Sequence, residues 1–200
     1  EQNHQSLRPN LLEETYEVLQ AIDKMDVPGM QEELGDLLLQ IVLQAQIASE
    51  NDEFNFEDVV TSIEKKLIYR HPHVFGETAV ANSDEVIKNW EVIKAQERRL
   101  NQKAEGLLQT IPKEMSALSL AQAYQKRAAR VGFDWESITS VKQKVMEELH
   151  EVETAKDDEE RSKELGDVLF TLVNLIRWYG YDAESVLREA AERFATRFHY

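Results

Sequence analysis

The 200-residue chain contains no cysteine, which excludes disulfides and thiolate metal sites, so a bound metal needs oxygen or imidazole ligands. Seven glycines and four prolines are too few for a turn-rich β protein and favour long helices. No apolar run reaches the roughly 18 residues of a membrane span, and no secretory signal is visible. These absences predict a helical, cytoplasmic protein without a membrane segment.

Basic residues are also scarce. The chain has 23 basic and 38 acidic residues, which gives a net charge of −15. Nucleic-acid binding requires a basic surface, so we expect no nucleic-acid partner. A phosphorylated small molecule is compatible with this charge, since divalent cations bridge acidic side chains to phosphates.

An acidic motif stands near the start of the chain. Glu14 and Glu17 are three residues apart, as are Glu33 and Asp36, and a Pro-Gly break at 28–29 separates the two predicted helices. Acids at i and i+3 share one helix face. Carboxylates about 4 Å apart repel each other by roughly 4 kcal/mol at an effective dielectric near 20, and a divalent cation removes this penalty. The four acids therefore predict a metal site, and their hard oxygen ligands favour Mg²⁺ or Mn²⁺.

The motif is written twice, since Glu148, Glu151, Glu164 and Asp167 repeat its spacing. Any single pair of acids at i and i+3 can arise by chance in so acidic a chain. The recurrence of both pairs with the same spacing is not expected by chance. The duplication predicts an all-α protein of two homologous helical units, residues 1–104 and 105–200. When the units are aligned, the first lacks a counterpart of residues 118–134 and the second ends early, so we expect a chain cut at both ends.

Basic residues follow both motifs in register. Lys66 and Arg70 lie one helical turn apart, and Arg193 and Arg197 occupy the matching positions of the second unit. Guanidinium groups suit phosphate oxygens. The two pairs are therefore candidates for a polyanion clamp, with solvated surface charge as the alternative.

A di-iron carboxylate bundle is a competing interpretation, because such bundles use Glu-x-x-His motifs. Glu147 and His150 supply one such motif, but the first unit has Tyr16 at the histidine position. This mismatch favours Mg²⁺ over iron.

Taken together, these segments resemble the MazG family of all-α nucleoside triphosphate pyrophosphohydrolases, and the resemblance covers essentially the whole chain. The segments that carry it are Leu12-Glu13-Glu14-Thr15-Tyr16-Glu17-Val18, Glu33-Leu34-Gly35-Asp36-Leu37-Leu38, Arg70-His71-Pro72-His73-Val74-Phe75 and Val131-Gly132-Phe133-Asp134-Trp135. The resemblance implies two tandem MazG-like units, each a four-helix-type bundle, completed by homodimerisation. It also implies Mg²⁺-dependent hydrolysis of nucleoside triphosphates to monophosphate and pyrophosphate, in a housecleaning role against noncanonical nucleotides.

The resemblance assigns roles to residues by matching position. The metal ligands are Glu14, Glu17, Glu33 and Asp36 in the first unit and Glu148, Glu151, Glu164 and Asp167 in the second, where they are also the catalytic acids. The substrate-binding residues are Lys66, Arg70, Trp90, Lys94, Asn174, Arg193 and Arg197.

The sequence leaves the active unit open, because the second unit ends early, while Asn174, polar where the first unit has Leu43, slightly favours the second. The alternative function is a non-catalytic helical dimerisation module or scaffold that retains a metal site in one or both units.

Overall fold

The structure, a computed structural model, describes residues 2–75 and 106–198. These residues contain helices and no strand, so the all-α prediction is confirmed for them. The chain divides into two compact units, Glu1–Gln102 and Lys103–Tyr200. Helices of the first unit are α1 (Arg8–Asp23), α2 (Val27–Glu50), α3 (Phe56–Arg70) and α4 (Pro72–Phe75); those of the second are α5 (Ala117–Ala129), α6 (Ile138–Thr154), α7 (Asp158–Trp178) and α8 (Ala183–Phe198). None of the described helices is both long and apolar enough to cross a membrane.

A helical hairpin, α1 followed by α2, is the centre of the first unit. Met25 adopts a left-handed φ of 54° in the connection, and Asp26 then caps α2 by accepting a hydrogen bond from the Gly29 N–H at 3.1 Å. Pro28 lies in the first turn of α2, as its sequence position predicts, because its missing N–H has no helical partner there. The short connection places the acidic residues of the two helices next to each other.

Local signals fix both ends of α3. A capping box of Asn55 and Asp58 starts the helix, and each side chain accepts a hydrogen bond from the other's backbone N–H. The helix ends at Arg70, before Pro72, which disfavours a helical conformation in the residue that precedes it. The candidate substrate-binding residues Trp90 and Lys94 lie outside the described residues.

The second unit repeats the hairpin as α6 and α7 and adds α5 and α8 around it. Buried Gln122 of α5 donates a hydrogen bond to the Tyr181 carbonyl and accepts one from the Ala183 N–H, both at 2.8 Å. Gln125, one turn later, donates to the Phe170 carbonyl of α7 at 2.8 Å. Two amide side chains therefore join α5 to both of its neighbours.

An apolar stripe lies on the surface of α2 and again on α7. Its residues are spaced i, i+4 and i+7, which places them on one face. Each side chain is at least 37% exposed, although all are aliphatic. The leucine stripe consists of Leu34, Leu38 and Ile41 in the first unit and Leu165, Leu169 and Leu172 in the second.

Candidate active site

The first acidic cluster is formed by α1 and α2. Carboxylate oxygens of Glu14, Glu17 and Glu33 lie within 4.8 Å of one another. Burial, followed by the charges of Asp36 and Glu17, raises the pKa of Glu14 above its ordinary value. The Gln40 side chain donates a hydrogen bond of 3.4 Å to Glu14 and partly offsets this effect. All four predicted acids of the first unit are therefore close enough to interact.

The second acidic cluster has the same construction on α6 and α7. Carboxylate oxygens of Glu148, Glu164 and Asp167 lie within 4.8 Å of one another, and Glu148 is only 5% exposed. Burial is the largest cause that raises the pKa of Glu164, and the charge of Glu151 is the next. Glu151 is also within hydrogen-bonding reach of Glu164, so it belongs to the cluster.

The donor set of each cluster fits a hard divalent cation. Every candidate ligand is a carboxylate, and burial, followed by repulsion from neighbouring carboxylates, raises the pKa of one acid in each group. Mg²⁺ or Mn²⁺ would be held by these oxygens with water completing the coordination. His150 is exposed beside Glu153, at 3.9 Å, so neither described cluster includes a histidine and the di-iron interpretation has no support.

Lys144 is a site residue that the sequence predictions missed. Its ammonium lies 2.7 Å from a Glu147 oxygen and 3.0 Å from an oxygen of buried Glu148, and these hydrogen bonds raise the lysine pKa above its usual range. The i, i+4 spacing of Lys144 and Glu148 was the available signal. Asn10 occupies the matching position of the first unit, so only the second cluster has this cation.

The predicted clamp residues border surface depressions that the cluster acids do not line. Arg193 and Arg197 border a shallow depression on α8, where Arg193 is 3.5 Å from Glu189. Lys66 borders a similar depression on α3, and Arg70 is the last residue of that helix. Within residues 2–75 and 106–198, no hydrogen bond or ion pair joins Lys66, Arg193 or Arg197 to the acidic clusters.

Asn174 lies on α7 beside a cleft of about 730 Å³ in the second unit. Its Oδ1 accepts hydrogen bonds from Arg177 Nε and Nη2, at 2.8 and 2.6 Å. Arg177 also pairs with Asp134, at 3.0 Å between Nη1 and Oδ2. Burial by itself would raise the pKa of Asp134, but the hydrogen bonds and charge of Arg177, with the Trp135 N–H, lower it below its ordinary value.

The sequence model of the MazG nucleotide pyrophosphohydrolase domain matches residues 2–75 and 136–199, which together exceed half of the chain. The chain belongs to the MazG family. Each matched segment contains one acidic cluster, so the two MazG segments agree with the repeat found in the sequence.

Three relatives illustrate the similarity to known MazG-family proteins. The nucleoside triphosphate pyrophosphohydrolase/pyrophosphatase MazG of Thermotoga maritima is 46% identical over 197 residues, which cover 98% of this chain and 75% of the relative. The nucleoside triphosphate pyrophosphohydrolase of Escherichia coli K12 is 46% identical over 204 residues, covering 99% and 77%. The uncharacterized protein YabN of Bacillus subtilis is 43% identical over 203 residues, covering 100% of this chain and 41% of YabN.

Proposed function

We propose that the second unit is the catalytic unit of this chain and that it holds Mg²⁺ through Glu148, Glu151, Glu164 and Asp167. Membership of the MazG family makes the chain a nucleoside triphosphate pyrophosphohydrolase. The observation that assigns the activity to the second unit is the buried Glu148, which has Lys144 at 3.0 Å beside the other acids. The first unit has the acids without this cation.

The residues of the second cluster would have different roles in the reaction. Bound by the four acids, Mg²⁺ (or Mn²⁺) would neutralise the triphosphate charge and polarise its phosphorus–oxygen bonds. The Lys144 ammonium would contact a phosphate oxygen. A carboxylate of the cluster would accept a proton from the water that attacks the α-phosphorus. The bond between the α-phosphorus and the bridging oxygen breaks, and pyrophosphate and the monophosphate leave.

A homodimer would bring Arg193 and Arg197 to the acids of the partner chain; the depression that these arginines border is not lined by the cluster acids of their own unit. The exposed leucine stripe supports this proposal, because aliphatic faces of this kind are usually covered by another protein surface. Gly35 and Gly166 lie next to the stripe, and a Cβ added at either one would meet no described atom within 4 Å. A glycine inside a helix lowers its stability by about 1 kcal/mol relative to alanine. Close approach of a second chain would explain why glycine occurs at both positions.

Paired substitutions test which unit is active. Glu148→Gln with Glu151→Gln should lower Mg²⁺-dependent pyrophosphate release at least about 100-fold, because two charges of the metal site are lost while size is kept. Glu14→Gln with Glu17→Gln is the matched control and should retain most of the activity. Circular dichroism would confirm that both variants are folded. Full activity in the first variant, or its loss only in the second, would contradict the assignment.

The first unit is a candidate scaffold that keeps a metal site without turnover. Asn10 and Leu43 stand there at the positions that match Lys144 and Asn174, so the first position carries no cation and the second, on the second helix of the hairpin, carries no polar amide. Titrating Mg²⁺ into the Glu148→Gln, Glu151→Gln variant by calorimetry should detect one remaining site. A housecleaning role in the cytoplasm, directed against noncanonical nucleotides, completes the proposal.

A further inference from the structure

Arg177 is the centre of a chain of hydrogen bonds along the cleft of the second unit. Its Nη1 donates to Asp134 Oδ2 at 3.0 Å, and its Nη2 donates to the other oxygen of the same carboxylate. Arg177 Nε and Nη2 also donate to Asn174 Oδ1, at 2.8 and 2.6 Å. The Arg177 side chain is only 13% exposed, so water competes little for these bonds. A single guanidinium therefore joins a carboxylate to an amide with four bonds.

The carboxylate end of this chain is itself fixed. Asp134 Oδ1 accepts hydrogen bonds from the Trp135 N–H at 2.9 Å and from Trp178 Nε1 at 3.3 Å. The Trp178 ring also faces the guanidinium, with 5.9 Å between Arg177 Cζ and the ring centroid. Because both of its ends are held, the guanidinium has little freedom to move relative to Asn174.

The guanidinium determines which end of the Asn174 amide is left for a ligand. Arg177 has donors and no acceptor, so it pairs with the amide oxygen, and a flipped amide would set donors against each other. Nδ2 of Asn174 then has no partner among the described residues. In that part of the chain, only oxygens of Gln40 and Gln125 are both buried and unpaired, so this Nδ2 remains accessible. Since Asn174 lines the cleft, it presents a donor there.

The hairpin of the first unit lacks the two α7 members of this chain. Leu43 and Gln46 stand at the positions that match Asn174 and Arg177. Gln46 instead donates a hydrogen bond to Glu50, one turn further along α2, at 3.0 Å. Among the described residues, an amide that is oriented by a guanidinium is therefore a property of the second unit.

We infer that Arg177, held by Asp134, is a positioning residue that presents the Asn174 amide to the substrate as a fixed hydrogen-bond donor. The inference rests on the proposed function, in which Asn174 of the second unit binds the triphosphate. It adds that the substrate atom opposite Asn174 is an acceptor. Side-chain freedom that is already lost on folding does not have to be lost on binding, so this arrangement lowers KM.

Arg177→Met tests the role of the guanidinium, because it keeps an unbranched side chain and removes every donor. We expect KM for ATP in Mg²⁺-dependent pyrophosphate release to rise about 3- to 10-fold, since one side chain must now be ordered on binding. The kcat should stay within about twofold, because ground state and transition state lose the same interaction. A merely structural role predicts the opposite result, since a smaller folded fraction lowers the apparent kcat and leaves KM unchanged.

A double variant tests whether Arg177 acts through Asn174. Asn174→Ala should weaken binding about 10-fold, and adding Arg177→Met should weaken it no further, because no amide is left to orient. If Arg177 contacts the substrate itself, it should weaken binding by the same factor with and without the amide. Calorimetry with α,β-methylene-ATP and Mg²⁺ measures these affinities without turnover. The substitutions Glu14→Gln and Glu17→Gln, present throughout, limit the titration to the second unit.

Asn174→Asp separates the two ends of the amide. An oxygen remains for Arg177, while the donor is replaced by a second acceptor. We expect a melting temperature at least as high as that of the unmodified chain, and a larger rise in KM than in Asn174→Ala. Gln122→Met is the control, because this buried amide is bonded to backbone groups at both ends and does not line the cleft. It should lower the melting temperature and leave KM unchanged.

The inference is overturned by an unchanged KM in folded Arg177→Met, by equal losses of affinity with and without the Asn174 amide, or by full affinity in Asn174→Asp. If Arg177→Met does not fold, Asn174→Asp decides, since it retains the ion pair. Failure of the proposed function looks different, because the chain would then bind α,β-methylene-ATP and release no pyrophosphate from ATP. The affinities of the variants would still decide the role of Arg177, whereas a second unit that binds no nucleotide refutes both.

Discussion

At the scale of single residues, the side chains around the acids distinguish the two clusters more than the acids themselves do. Lys144 places an ammonium 3.0 Å from Glu148, whereas the matching residue of the first unit is Asn10. In the first unit the amide of Gln40 donates to Glu14 at 3.4 Å instead. An amide neutralises no charge, so among the described residues the two clusters differ in the charge that these side chains contribute.

Asp134 gives a prediction on pH dependence. Burial by itself would raise the pKa of Asp134. The interactions with Arg177 and the Trp135 N–H lower it by more, so the pKa in the folded chain is below its ordinary value. A carboxyl of this kind stabilises the fold at pH values above its ordinary pKa of 3.8. This contribution is lost as the pH falls through the lower pKa of the folded chain. We expect Asp134→Asn to lower the free energy of unfolding by about 1–3 kcal/mol at pH 7, and by progressively less below pH 3.8. Urea denaturation at several pH values measures this difference.

Asp158→Asn is the control for that experiment. The Asp158–Arg161 pair has a distance of 2.7 Å, yet the Asp158 side chain is 99% exposed. An exposed pair contributes little, so the change should stay within about 0.5 kcal/mol. If both substitutions change the free energy of unfolding equally, the Asp134–Arg177 pair contributes no more to stability than an exposed ion pair.

At the scale of helices, side-chain caps decide where the second helix of each hairpin begins. Asp26 caps α2, and Asp157 caps α7 by accepting a hydrogen bond from the Glu160 N–H at 2.8 Å. Both caps follow short connections. The residue at which each second helix begins therefore determines which of its turns faces the first helix. It thereby determines which acids lie at that contact.

Removing the cap of α7 gives a prediction at this scale. Asp157→Ala should lower the free energy of unfolding by about 1 kcal/mol, because the Glu160 N–H loses its acceptor. Asp157→Asn retains a capping oxygen and should remain within a few tenths of a kcal/mol of the unmodified chain. Chemical denaturation compares the two variants. An alanine variant as stable as the asparagine variant would contradict the role of this cap.

Helix boundaries were predictable where such local signals exist. The sequence predicts a helix from about Phe56 to Arg70, because Pro72 disfavours continuation, and the Asn55 cap was found only in the structure. It did not predict the short α4, in which Pro72 occupies a first-turn position that tolerates proline.

At the scale of the whole molecule, the leucine stripe is the surface through which the proposed homodimer would form. Leu169→Glu and Leu38→Glu place a charge in the middle of the stripe of each unit. If the stripe forms the proposed homodimer, these substitutions should reduce the molar mass from twice to once the 23.2 kDa of the chain. Light scattering after size exclusion measures the mass.

Met25→Glu supplies the control for the dimer experiment. Met25 is 87% exposed, but it lies in the α1–α2 connection rather than on the stripe. A dimer that survives the stripe substitutions, or dissociates equally in the Met25 variant, would refute the proposed interface.

The sequence by itself determined the all-α fold, the family and the two sets of four acids, because these depend on helical periodicity, i, i+3 spacing and the repetition of a motif. Only the tertiary structure decided which groups meet across helices. It joined Asp134 to Arg177, 43 residues further along the chain. It also buried Gln125 with one unpaired oxygen. Such contacts depend on how α5, the loop before α6 and α7 pack together, and spacing along a single helix does not encode that packing.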